Sequence, residues 1–483
     1  RKRRRFEWCS MEVKNIVIIG GGSAGWMTAA ALAYKCPNIK LTLVESKKIG
    51  NIGVGESTLG HINKYMDLLD LKDKEWMKEC SATYKTSIQF TDFKEKGYTF
   101  QYPFGHFKAY QNGLIDFFEA QKQFPELSDL DFARSHSINA LMAENNKYWE
   151  DPIVEYGYNP KWDVAYHMDA DAFGQYLKNR YCKGVRHIID DVVRFQKDKD
   201  GNIERITTEG ENILAADLFI DCTGFASLLI EKTMGVQFEK FKTLPNDSAV
   251  AARIPYKDEE DKRNKMSCVT DCRALSSGWI WDIPLWSRYG TGYVYSSEFQ
   301  TSVSAEEEFR QETGWDGDVR HIKFRHGKHK KAWHKNVVSI GLSYGFIEPL
   351  ESTGLLTTHE NIMGLIHHLN MRNNYINQFN INAFNKSADD SIQKLSDFVA
   401  IHYGMSTRED TPYWKYVTNN IDYNELEDGE GLIYIATGMG IKKDILPREL
   451  YPQASIDKIR DHIKDLEHLV EQMPHHYDYL KSN

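Results

Sequence analysis

Apolar positions first gather in Asn15-Ile-Val-Ile-Ile19, an unbroken β-branched run of the kind found in strands buried on both faces. The run leads into Gly20-Gly21-Gly22-Ser23-Ala24-Gly25, then an alanine-rich helix through Ala33, then a second apolar strand, Lys40–Glu45, that ends in an acid. This is a βαβ unit of about 30 residues. Residues 61–97 read as helical, with Tyr65, Leu68, Leu69 and Trp76 at roughly helical spacing, and 100–160 is aromatic-rich without a strong period. Strand patterns return at Val185–Ile189, Val192–Gln196 and Ile203–Thr207, the last two joined as a hairpin across Asp198-Lys-Asp-Gly201. Ala216–Asp221 reads as another buried strand, followed by Cys222-Thr223-Gly224. Further strands are expected at 247–254, 279–284 and 291–296, and Asn336–Gly341 should turn into a helix near residue 354. From about 380 the chain is polar and helical, broken by the turn-rich Thr411-Pro-Tyr-Trp414. The pattern is α/β with helical additions, and no repeat or low-complexity linker separates its parts.

Composition excludes several classes. Among 483 residues, 41% are hydrophobic, 27% charged and 12% aromatic, with 33 glycines and 13 prolines, so collagen, coiled coil and wholesale disorder are ruled out. The net charge is −9, but RKRRRFEWCS at positions 1–10 carries +4, leaving −13 on the body from Met11. Residues 1–10 are expected to be a leader or appended tail, and an acidic body argues against a nucleic-acid partner. Arg3-Arg4-Arg5-Phe6 hints at a twin-arginine signal and Asn15–Tyr34 is charge-free over a membrane-spanning length. The glycine cluster and the lack of a small-residue cleavage site argue against both, so no membrane partner is expected. Seven scattered cysteines (Cys9, Cys36, Cys80, Cys182, Cys222, Cys268, Cys272) suit a reducing cytoplasm with free, mostly buried thiols. Cys268 and Cys272 lack a second pair or flanking histidine, so no metal is expected. His321, His326, His329 and His334 lie in a basic stretch and read as solvated.

Gly20, Gly22 and Gly25 have GxGxxG spacing between a strand and a helix, where backbone amides and the helix dipole can receive a pyrophosphate. Glu45 closes the next strand, where it can accept ribose hydroxyls. Asp217-Leu-Phe-Ile-Asp221-Cys-Thr-Gly224 resembles the late strand of FAD-binding monooxygenase-type proteins, which favours FAD over NAD. A second GxGxxG in a βαβ setting is missing, so a separate NAD(P)H flavin reductase is implied.

Gly278-Trp279-Ile280-Trp281-Asp282-Ile283-Pro284 reads W-x-W-x-I-P, and here the sequence resembles the flavin-dependent halogenases of the tryptophan-halogenase type, from about Lys14 to Trp414. The resemblance implies a FAD-binding Rossmann-type, monooxygenase-like core over 11–100 and 160–380, with a largely helical substrate-side subdomain over 101–159 and 381–483. It implies that Trp279, Trp281, Ile283 and Pro284 keep organic substrate away from the flavin. Two indoles and a rigid proline make such a wall at little entropic cost. Lys85 aligns with the family's essential lysine through Gly53-Val-Gly-Glu56-Ser57 before it and Thr86-Ser87-Ile88 after it, although a lone lysine on a helix is ordinarily a solvated group. An ammonium would hydrogen-bond hypohalous acid, whereas a neutral amine would become a haloamine; both readings stay open.

Gly345-Phe-Ile-Glu348-Pro-Leu-Glu351-Ser-Thr353-Gly354 supplies the rest. The amides of Thr353 and Gly354 resemble the family's halide site, while Ser352 and Thr353 also read as ordinary helix caps. Glu351 is carried over as the second catalytic residue, able to stabilise or deprotonate the arenium ion, with Glu348 a confounder three residues earlier. Flavin contacts carried over are Gly20, Gly22, Ser23, Ala24, Gly25, Glu45, Val192, Leu342 and Leu355. The implied activity uses FADH2, O2 and a halide (bromide, iodide or chloride) to make hypohalous acid, which halogenates a small indole- or phenol-type aromatic by way of Lys85 and Glu351. Bromide and iodide are easier to oxidise and should serve at least as well as chloride. Tyr102-Pro-Phe-Gly105 has tyrosine where enzymes acting on free tryptophan carry histidine, and only 69 residues follow Trp414; both features point away from free tryptophan. The alternatives are a two-component flavin monooxygenase that hydroxylates an aromatic and a non-catalytic FAD-binding protein. Homo-oligomerisation is left open.

Overall fold

The computed structural model describes residues 10–47, 53–105, 117, 120–421, 430–440 and 453–483. The leader assigned to 1–10, the arginines within it and Cys9 therefore lie outside the described residues, Ser10 apart.

The first sheet grows from the βαβ unit. Strand β1 (Asn15–Ile19), helix α1 (Ser23–Lys35) and strand β2 (Lys40–Glu45) form as expected. β1 sits in a six-stranded sheet beside β2 and Leu218–Asp221, flanked outward by Arg186–Ile189 and Val337–Ser339, all parallel, with Trp333–His334 antiparallel at one edge. The apolar run is continuous because both faces are covered. Ile16 and Ile18 pack with Trp26, Ala29 and Ala30 of α1. Val17 and Ile19 pack with Ile203, Ile206 and Leu214 of an antiparallel three-stranded meander. This meander contains the expected hairpin, Val192–Lys197 with Ile203–Thr208.

The second sheet positions the candidate chemistry. The helical reading of 61–97 holds only for Ile62–Leu68 and Asp73–Trp76. After Trp76 the chain turns extended as β3 (Thr83–Lys85) and β4 (Ser87–Thr91), so Lys85 ends a strand rather than riding a helix. The alternation of Ile88 and Phe90, both fully buried, with Gln89 is a strand signature that the helical spacing upstream masked. β4 pairs in parallel with β5 (Val269–Ala274), which pairs antiparallel with β6 (Gly278–Pro284), then β7 (Arg288–Tyr295). Thr99–Pro103, Ser248–Pro255 and Arg320–Lys323 complete this seven-stranded sheet.

Helix α2 (Thr353–Asn370) follows the turn Pro349–Glu351, and α3 (Gln378–Gly404) packs along it. The helical region breaks between Gly404 and Pro412, as expected near Thr411, but Pro412-Tyr-Trp414 already belong to the next helix. Thr411 caps a helix at Pro412–Asn420, accepting from the Trp414 amide, and Pro412 takes the first-turn position where a missing N–H costs nothing. Of the basic-stretch histidines, His321 is exposed as expected, His326 and His334 are half-buried, and His329 differs outright. His329 is fully buried, its ring between the Tyr344 carbonyl and Glu231, because its strand Gly327–His329 lies between two partners, Phe238–Lys240 and Gly345–Phe346. The six described cysteines are free and buried. Among the described residues, no helix is long and apolar enough to cross a membrane and no cluster of three His, Cys, Asp or Glu could hold a metal.

Candidate active site

The residues singled out for FAD gather along the carboxyl rim of the parallel sheet. Gly20 has φ +113°, and a Cβ there would sit 2.1 Å from the Cys222 carbonyl oxygen; one on Gly25 would sit 1.9 Å from the Gly20 oxygen. The turn exists only with glycine at both positions. Gly22 starts α1 without a side-chain cap, which leaves the helix amides at Ser23 and Ala24 to an external acceptor, and no acidic side chain lies in the first turn. Glu45 ends β2 with its carboxylate 2.8 Å from His187 Nε2 and folded over Gly21. Val192 follows two residues after Asp190, whose amide binds the Glu45 carbonyl. Gly341, beside Leu342, abuts Ala24 of α1 and Thr358 of α2, and Leu355 is buried in the first turn of α2. Asp221 is buried and holds its own turn, accepting from Thr223 and from the Leu229 and Ile230 amides. A glycine cradle, an uncapped helix start and a ring of small residues fit a dinucleotide.

Lys85 is fully buried and has no carboxylate in hydrogen-bonding contact. Its Nζ donates to Ser57 Oγ (2.8 Å), the Thr58 carbonyl (3.0 Å) and Ser352 Oγ (2.8 Å), and it stands 5.0 Å from the centre of the Phe104 ring. Burial pulls its pKa down from 10.5 to about 7; Cys272 and Glu351 oppose that fall. Ser57 lies in a short strand, Glu56–Ser57, paired with Ala165–Met168, which also pairs with β3, so the motif before Lys85 and the lysine share one small sheet.

Glu351 is buried at the end of the turn Pro349–Glu351, directly before α2. Its Oε1 lies 2.7 Å from Nε2 of fully buried His402, in the last turn of α3. Three phenyl rings, Phe90, Phe93 and Phe398, surround that imidazole. Ser352 is the N-cap of α2 yet makes no capping bond: it is held at φ +56°, and its hydroxyl faces Lys85 and Ser57 instead. The ordinary-cap expectation thus fails for Ser352. Thr353 and Gly354 open α2. Thr353 Oγ1 is buried without a partner, and a Cβ on Gly354 would meet nothing within 4 Å, so the helix start faces open space suited to an anion.

The tryptophan motif is central in the second sheet. Trp279 and Trp281, two apart on β6, share a face with ring centres 6.0 Å apart. Trp281 lies over Gly292 of β7, where a Cβ would come within 2.1 Å of its ring, and Ile283 lies against Gly55. Pro284 closes β6 and is buried. Glu348, the expected confounder, fastens this wall: its Oε2 accepts from Asn246 Nδ2 (2.6 Å), Tyr403 O–H (2.7 Å) and Trp279 Nε1 (3.2 Å), and burial pushes its pKa up to about 7. Adjacent residues of α3, His402 and Tyr403, therefore grip the two acids of one turn.

Comparison with known proteins adds descent to this geometry. A family model described as tryptophan halogenase matches residues 15–429. The chain is 36% identical over 424 residues to the tryptophan 6-halogenase SttH of Streptomyces toxytricini, covering 83% of this chain and 80% of that one. It is 34% identical over 427 residues to the tryptophan 7-halogenase RebH of Lentzea aerocolonigenes, covering 84% and 79%. Among solved structures, the flavin-dependent halogenase BrvH of Brevundimonas sp. BAL3 matches with TM-score 0.88 at 28% identity, over 98% of this chain and 100% of that one. VirX1 matches with TM-score 0.90 at 40% identity, over 97% and 99%.

Proposed function

The chain belongs to the tryptophan halogenase family and is a flavin-dependent halogenase; from that premise we propose that Lys85 and Glu351 direct hypohalous acid onto a small electron-rich aromatic ring. Reduced FAD, when bound, supplies together with O2 the oxidising power that turns halide into hypohalous acid. Gly20, Gly22, Ser23, Ala24, Gly25, Glu45, Val192, Leu342 and Leu355 hold the flavin, and the amides of Thr353 and Gly354 hold the halide. A separate NAD(P)H flavin reductase delivers the reduced cofactor.

Trp279, Trp281, Ile283 and Pro284 keep the aromatic substrate from the flavin, and Lys85 receives the oxidant beyond them. Glu351 takes the proton that the ring gives up when halogen enters, with His402 Nε2 2.7 Å from its Oε1. The observation that carries this reading is a fully buried lysine with only neutral oxygens bonded to it, one of them on the residue after Glu351. Tyr102 packs against Phe104 and Phe398 beside this site, and a tyrosine where enzymes acting on free tryptophan carry histidine supports indoles and phenols over free tryptophan. Bromide and iodide are expected to serve at least as well as chloride.

The test is an assay with FAD, a generic flavin reductase, NADH, bromide and a panel of indoles and phenols, read by mass spectrometry. A brominated product that disappears with Lys85→Ala, while flavin reoxidation continues, supports the assignment. A product heavier by one oxygen and free of bromine would replace it with monooxygenation.

A further inference from the structure

The hydrogen bonds at Lys85 belong to a buried chain whose direction is fixed from its far end. Thr83 Oγ1 lies 2.7 Å from the Pro284 carbonyl oxygen, which can only accept, so the Thr83 hydroxyl proton points there. Thr83 must then accept at its 3.2 Å contact with His167 Nδ1, so Nδ1 carries the imidazole proton. Burial, with a smaller push from Lys85, holds the His167 pKa well below the ordinary histidine value, so the ring is neutral and Nε2 is a bare acceptor. Thr270 Oγ1, 2.9 Å from Nε2, donates to it. Ser57 Oγ, 2.7 Å from Thr270 Oγ1, must in turn donate to Thr270. Ser57 has one proton and it is spent. Toward Lys85 and Ser352 it can only accept.

This leaves Lys85 little freedom. It must donate to Ser57 and to the Thr58 carbonyl in either protonation state. Only the Ser352 contact can reverse, since that hydroxyl can accept from an ammonium or turn its proton onto a neutral amine. The lone pair of a neutral Lys85 therefore emerges on the Ser352 side, next to Glu351.

We propose that His167 and Thr270 are positioning residues for Lys85: by taking the Ser57 proton they deny a neutral amine its second donor and turn its free face toward Ser352. The proposal rests on the reading that Lys85 handles the oxidant, and it ties the lysine to the tryptophan wall through the Pro284 carbonyl. The titratable groups facing Lys85 are Glu351 on the turn before α2, Cys272 on β5 and His167 on Ala165–Met168.

The experiment compares wild type with Thr270→Val and Thr270→Ser in the complete reductase-coupled assay, following bromination and flavin reoxidation from pH 6 to 9. Valine keeps the shape of threonine but frees the Ser57 proton to turn onto the Lys85 nitrogen, which stabilises the neutral amine. The bromination limb with its midpoint near pH 7 should then move to lower pH by about half a unit or more, and serine should restore it. Thr83→Val releases the imidazole tautomer and should move the limb the same way, which provides a second route should Thr270→Val not fold. Lower activity at an unmoved midpoint, or a wild-type profile with no limb between pH 6 and 8, overturns the proposal. If Lys85→Ala still brominates at the wild-type rate, it is the lysine assignment itself that falls.

Discussion

Replacing Lys85 with methionine should end halogenation and yet make the protein more stable near neutral pH. The lysine is fully buried and its pKa falls from 10.5 to about 7, chiefly through lost hydration. Because the folded value lies below the unfolded one, the unfolded chain binds the extra proton between pH 7 and pH 10.5. Stability therefore rises with pH across that window, and the full cost of the buried ammonium is present below pH 7. The difference amounts to about 5 kcal/mol. Methionine removes the charge and fills the stem volume with a flexible thioether, but forfeits three hydrogen bonds worth about 1 kcal/mol each. The net is a gain of about 2 kcal/mol at pH 6 to 7 and a loss of about 3 kcal/mol near pH 10.5. For a chain of this length, 2 kcal/mol moves the thermal midpoint by only about 2 °C. Urea titrations at pH 6, 7, 9 and 10 are the sharper assay. The expected result is a crossover, with the variant above wild type in acid and below it in alkali. A variant less stable than wild type by the same margin at every pH would show that Lys85 is not the strained ionisable group described here.

Four further outcomes are expected. Glu348→Ala removes the shared acceptor of Asn246 Nδ2, the Tyr403 O–H and the Trp279 indole N–H, costing about 3 kcal/mol in urea titrations and raising flavin reoxidation without halogenated product. Glu348→Gln keeps an accepting oxygen; since burial raises the native acid to about 7, wild type loses stability as pH climbs from 4.5 to 7 and the glutamine variant does not, so their difference should grow over that window and then level off. His402→Phe removes the polar ring 2.7 Å from the Glu351 carboxylate and should cost about 1–3 kcal/mol with at least a roughly tenfold loss of halogenation, whereas His402→Gln, which retains a polar group, should lose less in both measurements. Gly292→Ala drives a methyl into the Trp281 ring and should cost about 1–3 kcal/mol, with oxygenated or uncoupled turnover appearing in the mass-spectrometric assay if that ring bars substrate from the flavin.

The nucleotide-binding half was legible because its physics is local. Ile16 to Ile19 are consecutive and buried alternately against α1 and the meander, so an unbroken apolar run announces the strand, and the glycines that follow are required by contacts within their own turn and with the next strand in the sheet. The 61–97 region failed for an equally local reason. Tyr65, Leu69 and Trp76 are indeed buried at helical spacing, but only Ile62–Leu68 and Asp73–Trp76 are helical, and the period-two pattern of Ile88 and Phe90 begins soon after.

The candidate catalytic constellation could not be read the same way, because its partners come together only in the fold. Lys85 was marked by resemblance to a family pattern, while nothing in its own segment says that Ser352, 267 residues away, completes its hydrogen bonds. His402 sits late in a long polar helix where a histidine ordinarily signals solvent, and its burial follows from α3 packing on α2 and presenting that turn to Glu351. Glu348 looked redundant beside Glu351 and proves different in kind. Both acids are buried on one turn, three residues apart. One has its Oε2 held by three neutral donors from the wall and α3, which fixes it as a support of the wall, while its Oε1 is buried without a partner. The other has no neutral donor: its Oε1 lies 2.7 Å from the His402 ring and neither oxygen accepts a hydrogen bond, the state a proton acceptor needs. Spacing alone assigns these two carboxylates the same role, whereas the three donors on Glu348 and their absence on Glu351 support the proposal of Glu351 as the base and Glu348 as the anchor of the wall.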